Sequence, residues 1–289
     1  MPTDTDPATE PTSETVTETV AFSAGAAPLK GRLFMPRNDP KRAILLSGAT
    51  GVRAGCYAPF AAWLAQEKQA AVLTWDYRDF GASGQPYGSK ATMTDWGIHD
   101  ATAARNHLRT RFPGLPLWVI GHSLGGLALP FQPGLQDIAR VIAIAAGPVR
   151  VRDHPWPFRA QAWALWHLVG PLAGAFMDHL PGRRLGLGND LPLPVFRQWK
   201  RWCTKAGSLP ADPDMPAPER PGLTCPVTLV ALDDDVMIPP ANVWKLADWM
   251  PAAQVRQTLL RPTDHGLGTV GHIAGFAPRN RALWPAIIA

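Results

Sequence analysis

The chain has 289 residues, 46% of them hydrophobic and 18% charged, enough to bury the core of one large globular domain or of a domain with an insertion. Its three cysteines, Cys56, Cys203 and Cys225, are far apart and odd in number, which excludes a disulfide framework and a Cys-x-x-Cys metal pair and points to a reducing, cytoplasmic compartment. The net charge of +5 comes without a run of Lys or Arg, so no nucleic-acid partner is expected, and no stretch supplies the roughly 18 consecutive apolar residues of a membrane span.

Residues 1–18 carry five acidic side chains (Asp4, Asp6, Glu10, Glu14, Glu18) and no Lys or Arg. Pro and Thr fill much of the rest, and the basic and apolar regions of a secretory signal are missing, so the segment reads as a disordered acidic tail. Thr19–Phe22 and Leu29–Met35 are strand-like, with Gly25 and Pro28 as turn signals between them. Ala43–Leu46 is a buried-strand candidate that ends in Ser47-Gly48-Ala49-Thr50-Gly51. A small-residue loop there can offer a backbone N–H to a developing oxyanion; Ala49 is the first candidate and Thr50 the second, with a plain tight turn as the alternative.

Tyr57–Lys68 places Phe60, Trp63 and Leu64 at helical spacing, and Ala71–Trp75 forms the next strand. Thr94–Arg111 reads as a helix stopped by Pro113-Gly114. Leu115–Leu127 (LPLWVIGHSLGGL) then joins a short apolar run to Gly121-His122-Ser123-Leu124-Gly125. Gly-x-Ser-x-Gly after a strand is the nucleophile elbow: a sharp strand-to-helix turn that exposes a serine hydroxyl and leaves no room for a Cβ two positions to either side. It also sets the N–H of Leu124 at a helix N-terminus, where an oxyanion can be held. Pro130 and Pro133 keep the following helix short.

Arg140–Ala145 is another buried strand, after which the pattern changes. Residues 147–221 are rich in Pro, Arg and Trp and include five of the twelve tryptophans: Trp156, Trp163, Trp166, Trp199 and Trp202. The segment reads as helices without strands, a lid inserted into a core of residues 19–146 and 222–289. Most of the aromatics are expected to pack the lid onto the sheet, with an apolar acyl pocket as their other use. Strands return at Pro226–Ala231 and Val255–Leu260, each followed by a helical stretch, Ala241–Trp249 and Phe276–Ile288. Alternation of strand and helix implies a mostly parallel, doubly wound α/β sheet with its ligand beyond the carboxyl ends of the strands.

A serine hydroxyl attacks only when a base takes its proton, and the base needs an orienting carboxylate. Asp233-Asp234-Asp235 follows a late strand, where such an acid is required; a solvated turn or a hard-cation loop are the alternatives, and the latter lacks enough oxygen ligands for a metal to be assigned. His265 and His272 stand 30 and 37 residues beyond Asp235 and compete for the base. His122 adjoins the serine, so its side chain points away and packs under the elbow. Gly266-x-Gly268-x-x-Gly271 matches a dinucleotide fingerprint by letter, but only 18 residues follow it and none is acidic; Ser47–Gly55 lacks the Lys of a phosphate loop. No cofactor is assigned.

With these motifs the chain resembles the α/β-hydrolase superfamily, and within it a bacterial group of serine-aminopeptidase-like hydrolases. The likeness runs from about Ala43 to Trp284 through GATGV with Tyr57 following, LTWDYRDFGAS, WVIGHSLGG, LPLPVFRQWKRWC, DDDVMIPP and VGHIAGF leading to LWP. Asp79 departs from the Gly usual after Asp-Tyr-Arg, and Ser47 from the His of wider relatives. The resemblance implies the α/β-hydrolase fold with a helical lid, Ser123 as nucleophile, Asp235 as acid through its Asp-x-x-x-Pro form (Asp234 second) and His272 as base (His265 second). The resemblance implies peptidase ancestry without fixing a substrate; the reaction expected is hydrolysis of a small-molecule ester with an apolar acyl part through an acyl-enzyme. An acyltransferase or an amide or peptide hydrolase would use the same triad, whereas a non-catalytic binding protein would usually lack one of its members.

Overall fold

The apolar runs assemble into one eight-stranded sheet in a computed structural model that describes residues 15–206 and 208–289. In chain order the strands are β1 (Val16–Ala24), β2 (Ala27–Met35), β3 (Arg42–Ser47), β4 (Ala70–Asp76), β5 (Leu117–His122), β6 (Ile138–Ile144), a two-residue ribbon of β7 (His179–Leu180) and β8 (Leu191–Pro192), then β9 (Pro226–Leu232) and β10 (Gln254–Leu260). The large sheet runs β1-β2-β4-β3-β5-β6-β9-β10. Only β1–β2 and β2–β4 pair antiparallel; every other pair is parallel, which fits chain crossovers through helices. The central strands are buried on both faces: Ala43 and Leu45 of β3 join one apolar cluster while Ile44 and Leu46 join the other. That two-sided burial is why these strands are continuous apolar runs rather than alternating ones.

The helices are α1 (Ala58–Glu67), α2 (Ala101–Arg111), α3 (Leu124–Leu127), α4 (Phe158–Ala164), α5 (Gly170–Phe176) and α6 (Leu193–Thr204), followed by shorter turns toward the chain end. Among the described residues no helix is long and apolar enough to cross a membrane.

Several elements differ from expectation. Of the expected acidic tail, residues 1–14 lie outside the described residues, and Val16–Glu18 belong to β1, where pairing with β2 supplies their backbone partners. Residues 95–100 form a wide π turn ahead of α2. The segment between β6 and β9 is not strand-free, since β7 and β8 close a small ribbon within it. The expected closing helix is broken into 3₁₀ turns at Ala274–Phe276 and Pro278–Leu283 and one helical turn at Trp284–Ile287. Pro278 and Pro285 lack the N–H that would carry a helix through, and Asn280 leaves helical geometry at φ −105°, ψ 20°.

Candidate active site

The loops leaving β3, β5, β9 and β10 at their carboxyl ends meet around one cavity. Ser123 sits between β5 and α3 at φ 52°, ψ −114°, a conformation that a residue with a side chain seldom adopts. The surroundings fix it there. A Cβ on Gly121 would collide with the backbone of Gly125 and Gly126, and one on Gly125 with Ser47 of the neighbouring loop. Ser123 N–H donates to Ile144 O at 3.0 Å, while Ser123 O accepts from Gly126 and Leu127 N–H.

His272 and Asp235 come together across 37 residues: His272 Nδ1 lies 2.7 Å from Asp235 Oδ2, both side chains being almost wholly buried. Asp235 Oδ1 accepts Met237 N–H at 2.8 Å and Ile238 N–H at 3.0 Å. These bonds to the charged form fix the carboxylate as an acceptor, so His272 Nδ1 carries the proton and Nε2 keeps its lone pair. His272 and Ser123 line the same cavity.

The second-choice residues have other partners. Asp234 Oδ2 accepts Val270 N–H at 2.6 Å and Gly271 N–H at 3.0 Å, tying the loop that carries His272 to the loop that carries Asp235. Asp233 lies 3.8 Å from Arg261. His265 ends a 3₁₀ turn outside the cavity.

One expectation needs correction. Ala49 lines the cavity, yet its N–H donates to Tyr57 Oη at 2.8 Å and is not available to a ligand. Thr50 also lines the cavity, and among the described residues its N–H and that of Leu124 have no intramolecular acceptor. Of the two candidates in this loop, Thr50 rather than Ala49 therefore has an N–H without an intramolecular partner, as does Leu124.

Tyr57 Oη is also 2.7 Å from His122 Nδ1, and His122 Nε2 is 2.9 Å from the carbonyl oxygen of His272. The protons of this chain can be assigned. A carbonyl only accepts, so Nε2 carries hydrogen; full burial pushes the His122 pKa well below its ordinary value, so the ring is neutral and Nδ1 accepts from Tyr57. Tyr57, its own pKa raised by burial, then accepts from Ala49 with its lone pair. His122 does pack under the elbow, but in doing so it links the β3 loop to the backbone of His272. Sequence reading noted Tyr57 only as part of a motif and missed this connection, because its partners are 8, 65 and 150 residues apart.

The cavity holds about 270 Å³, and the rest of its lining is mostly apolar and comes largely from the segment between β6 and β9. Trp166, Trp199 and Trp202 line it while also packing in or against the main core cluster, whereas Trp156 and Trp163 are exposed. Cys203 also lines it, its thiol pushed up to about 12 by burial, so it contributes apolar surface and not a nucleophile. A wider depression of about 1210 Å³ near Phe22, His107 and Glu219 holds none of the sequence-predicted site residues and is too open to enclose an acyl chain.

No curated protein matches the chain significantly. Residues 38–180 match the sequence model of the serine aminopeptidase (S33) family. Among solved structures, the enol-lactonase of Burkholderia xenovorans is 19% identical with a TM-score of 0.59, covering 92% of this chain and 98% of its own. Mouse alpha/beta hydrolase domain-containing protein 10 is 15% identical, TM-score 0.58, covering 94% and 97%. An esterase of Pyrococcus furiosus is 14% identical, TM-score 0.57, covering 94% and 88%. With its sheet order, its strand-elbow-helix turn and these likenesses, the chain has the α/β-hydrolase fold, and over residues 38–180 it is similar to the serine aminopeptidase (S33) family.

Proposed function

We propose that this α/β hydrolase is a serine hydrolase that cleaves carboxylic esters with an apolar acyl part. The observation that carries the reading is the 2.7 Å bond between His272 Nδ1 and Asp235, in a cavity that His272 shares with the strained Ser123. In this reading His272 Nε2 takes the proton as Ser123 Oγ attacks the acyl carbonyl. Leu124 and Thr50 N–H groups hold the oxyanion, and the proton passes to the leaving alcohol. Water, deprotonated by the same nitrogen, then releases the acid and restores Ser123. Asp235 stabilises the imidazolium formed in each half and keeps the ring in its productive tautomer.

The apolar cavity wall of Trp166, Trp199 and Cys203 supports an uncharged acyl group over a charged peptide terminus. The Pyrococcus furiosus esterase and the Burkholderia xenovorans enol-lactonase are named for ester-type bonds, which agrees with this choice. The test is active-site labelling with a fluorophosphonate. Wild type is expected to label and Ser123→Ala not to, while Asp235→Asn should lose about 10⁴-fold in kcat against p-nitrophenyl esters. A wild-type protein that is folded but neither labels nor hydrolyses any ester in the series overturns the reading.

A further inference from the structure

The helical rod of α4, a π turn at Leu165–Val169 and α5 has two apolar faces, and only one of them is occupied. Its inward side chains, Phe158, Ala162, Leu165 and Trp166, line the cavity. Its outward face, begun by Trp156 just ahead of α4, carries Trp163, Leu168, Leu172 and Phe176 into solvent, with Trp156 78% and Phe176 86% exposed. Large side chains scattered singly over a surface need no explanation, but five on one side of one rod form a patch. Burial of the inward face already accounts for the rod's place in the fold, so the outward apolar residues are not there for folding.

The charges around the patch point to its occupant. From His154 to Met177 there is no Asp or Glu, and Arg159 is the one formal charge. Exposed Arg152 and Arg159 stand at one end and exposed Arg183 and Arg184 just beyond the other, and none of the four forms an ion pair among the described residues. The nearest acids each take a hydrogen bond: Asp153 from Arg150 N–H and Asn242, Asp178 from His179, and Asp190 from Arg183 N–H. A second copy docked face to face would set arginines against arginines. Negatively charged headgroups would instead receive them, and tryptophan is suited to the boundary between headgroups and acyl chains.

We propose that the outward face of this rod docks on the surface of an anionic lipid bilayer, with Trp163, Leu172 and Phe176 in the acyl boundary and Arg183 and Arg184 among the headgroups. The docking does not depend on the chemistry at Ser123. Its use rests on the proposed function: the same rod would hold the bilayer on one side and the acyl cavity on the other, which shortens the path of a lipid-dissolved ester to the serine.

Sedimentation of the full chain with vesicles tests it, using phosphatidylcholine alone and phosphatidylcholine mixed with phosphatidylglycerol. Wild type is expected to bind the anionic vesicles at least about tenfold more tightly than the neutral ones and to be released by salt. Trp163→Gln/Leu172→Gln/Phe176→Gln should lose at least about tenfold in anionic-vesicle binding with its melting temperature and its turnover of a water-soluble ester unchanged. Arg183→Glu/Arg184→Glu, which leaves the apolar face intact, should lose the preference for anionic vesicles. Ser123→Ala should bind vesicles as wild type does, so a failed hydrolase reading and a failed docking reading give different results. Wild type that ignores anionic vesicles, or a triple variant that binds them equally well, overturns the proposal. So does a concentration-dependent wild-type dimer that the triple variant abolishes and that forms without vesicle binding.

Discussion

Tyr57 and His122 are single side chains on which two loops depend. With Tyr57→Phe, the N–H of Ala49 is left buried without an acceptor and His122 Nδ1 without a donor. The expected cost is about 1–3 kcal/mol of stability, read as a lowered urea midpoint, and ester turnover should fall because the β3 loop also carries Thr50. His122 makes a separate, pH-dependent contribution. Its folded-state pKa is depressed by burial, so the unfolded chain takes up a proton on this ring as pH falls below about 6.5 while the folded chain does not. That contribution is complete above the unfolded value and is lost as pH drops toward the folded one, at about 1.4 kcal/mol per pH unit. Urea unfolding at a series of pH values should therefore give a shallower acid slope in His122→Gln than in wild type. Asp79, noted in the sequence as standing where relatives have Gly, adopts φ 56°. The family glycine marks a left-handed position that this chain fills at some strain, with Asp79 Oδ2 taking a hydrogen bond from Ser89.

At the scale of elements, the elbow was legible because everything that makes it is local: a β-rich run, two glycines and a serine within a few residues. The proposed acid and base were legible only to the level of a choice. The three consecutive aspartates have distinct partners, and nothing in their order tells which side chain reaches a histidine 37 residues on. The family motif selected Asp235 as the proposed acid; the contacts of Asp234 could not be read, since its partners are backbone N–H donors that any sequence would supply. Asp234→Asn puts an amide where one oxygen now accepts two N–H groups, and the expected result is a fall of about 10-fold in kcat with KM nearly unchanged, measured on a soluble ester. The same limit explains the second oxyanion donor. Choosing between Ala49 and Thr50 requires knowing where the phenol of Tyr57 ends. Helix boundaries failed where proline interrupts an apolar run, as at Pro278 and Pro285, because apolar periodicity persists through 3₁₀ turns that have no continuous helix.

For the whole molecule, the sheet and the segment between β6 and β9 divide the work. Alternating strand and helix signals made the sheet readable, and a change of composition marked the segment, but the use of its tryptophans depends on how far the rod stands off the sheet. Close packing sets that distance: a Cβ on Gly170 would collide with Phe196 of α6, and one on Gly174 would lie 2.8 Å from Leu193. Trp199 is half-buried against the core and forms part of the cavity wall, with its ring centroid 5.0 Å from that of Trp166. Trp199→Ala removes that wall, and a series of p-nitrophenyl esters should show its preference moving to longer acyl chains. The shift is expected to be on the order of 10-fold in relative kcat/KM, as for a few methylenes of lost or gained contact.

Ser123, Asp235 and His272 all spring from the framework, and none from the stretch between the sixth and ninth strands. Those two strands are immediate neighbours in the sheet, so the entire appendage hangs from a single doorway. The appendage nevertheless keeps a second hold beside the cavity, where Asn189 N–H donates to Gly51 O at 3.0 Å, so any replacement for it has to grip the neighbour of Thr50 as well as span the doorway.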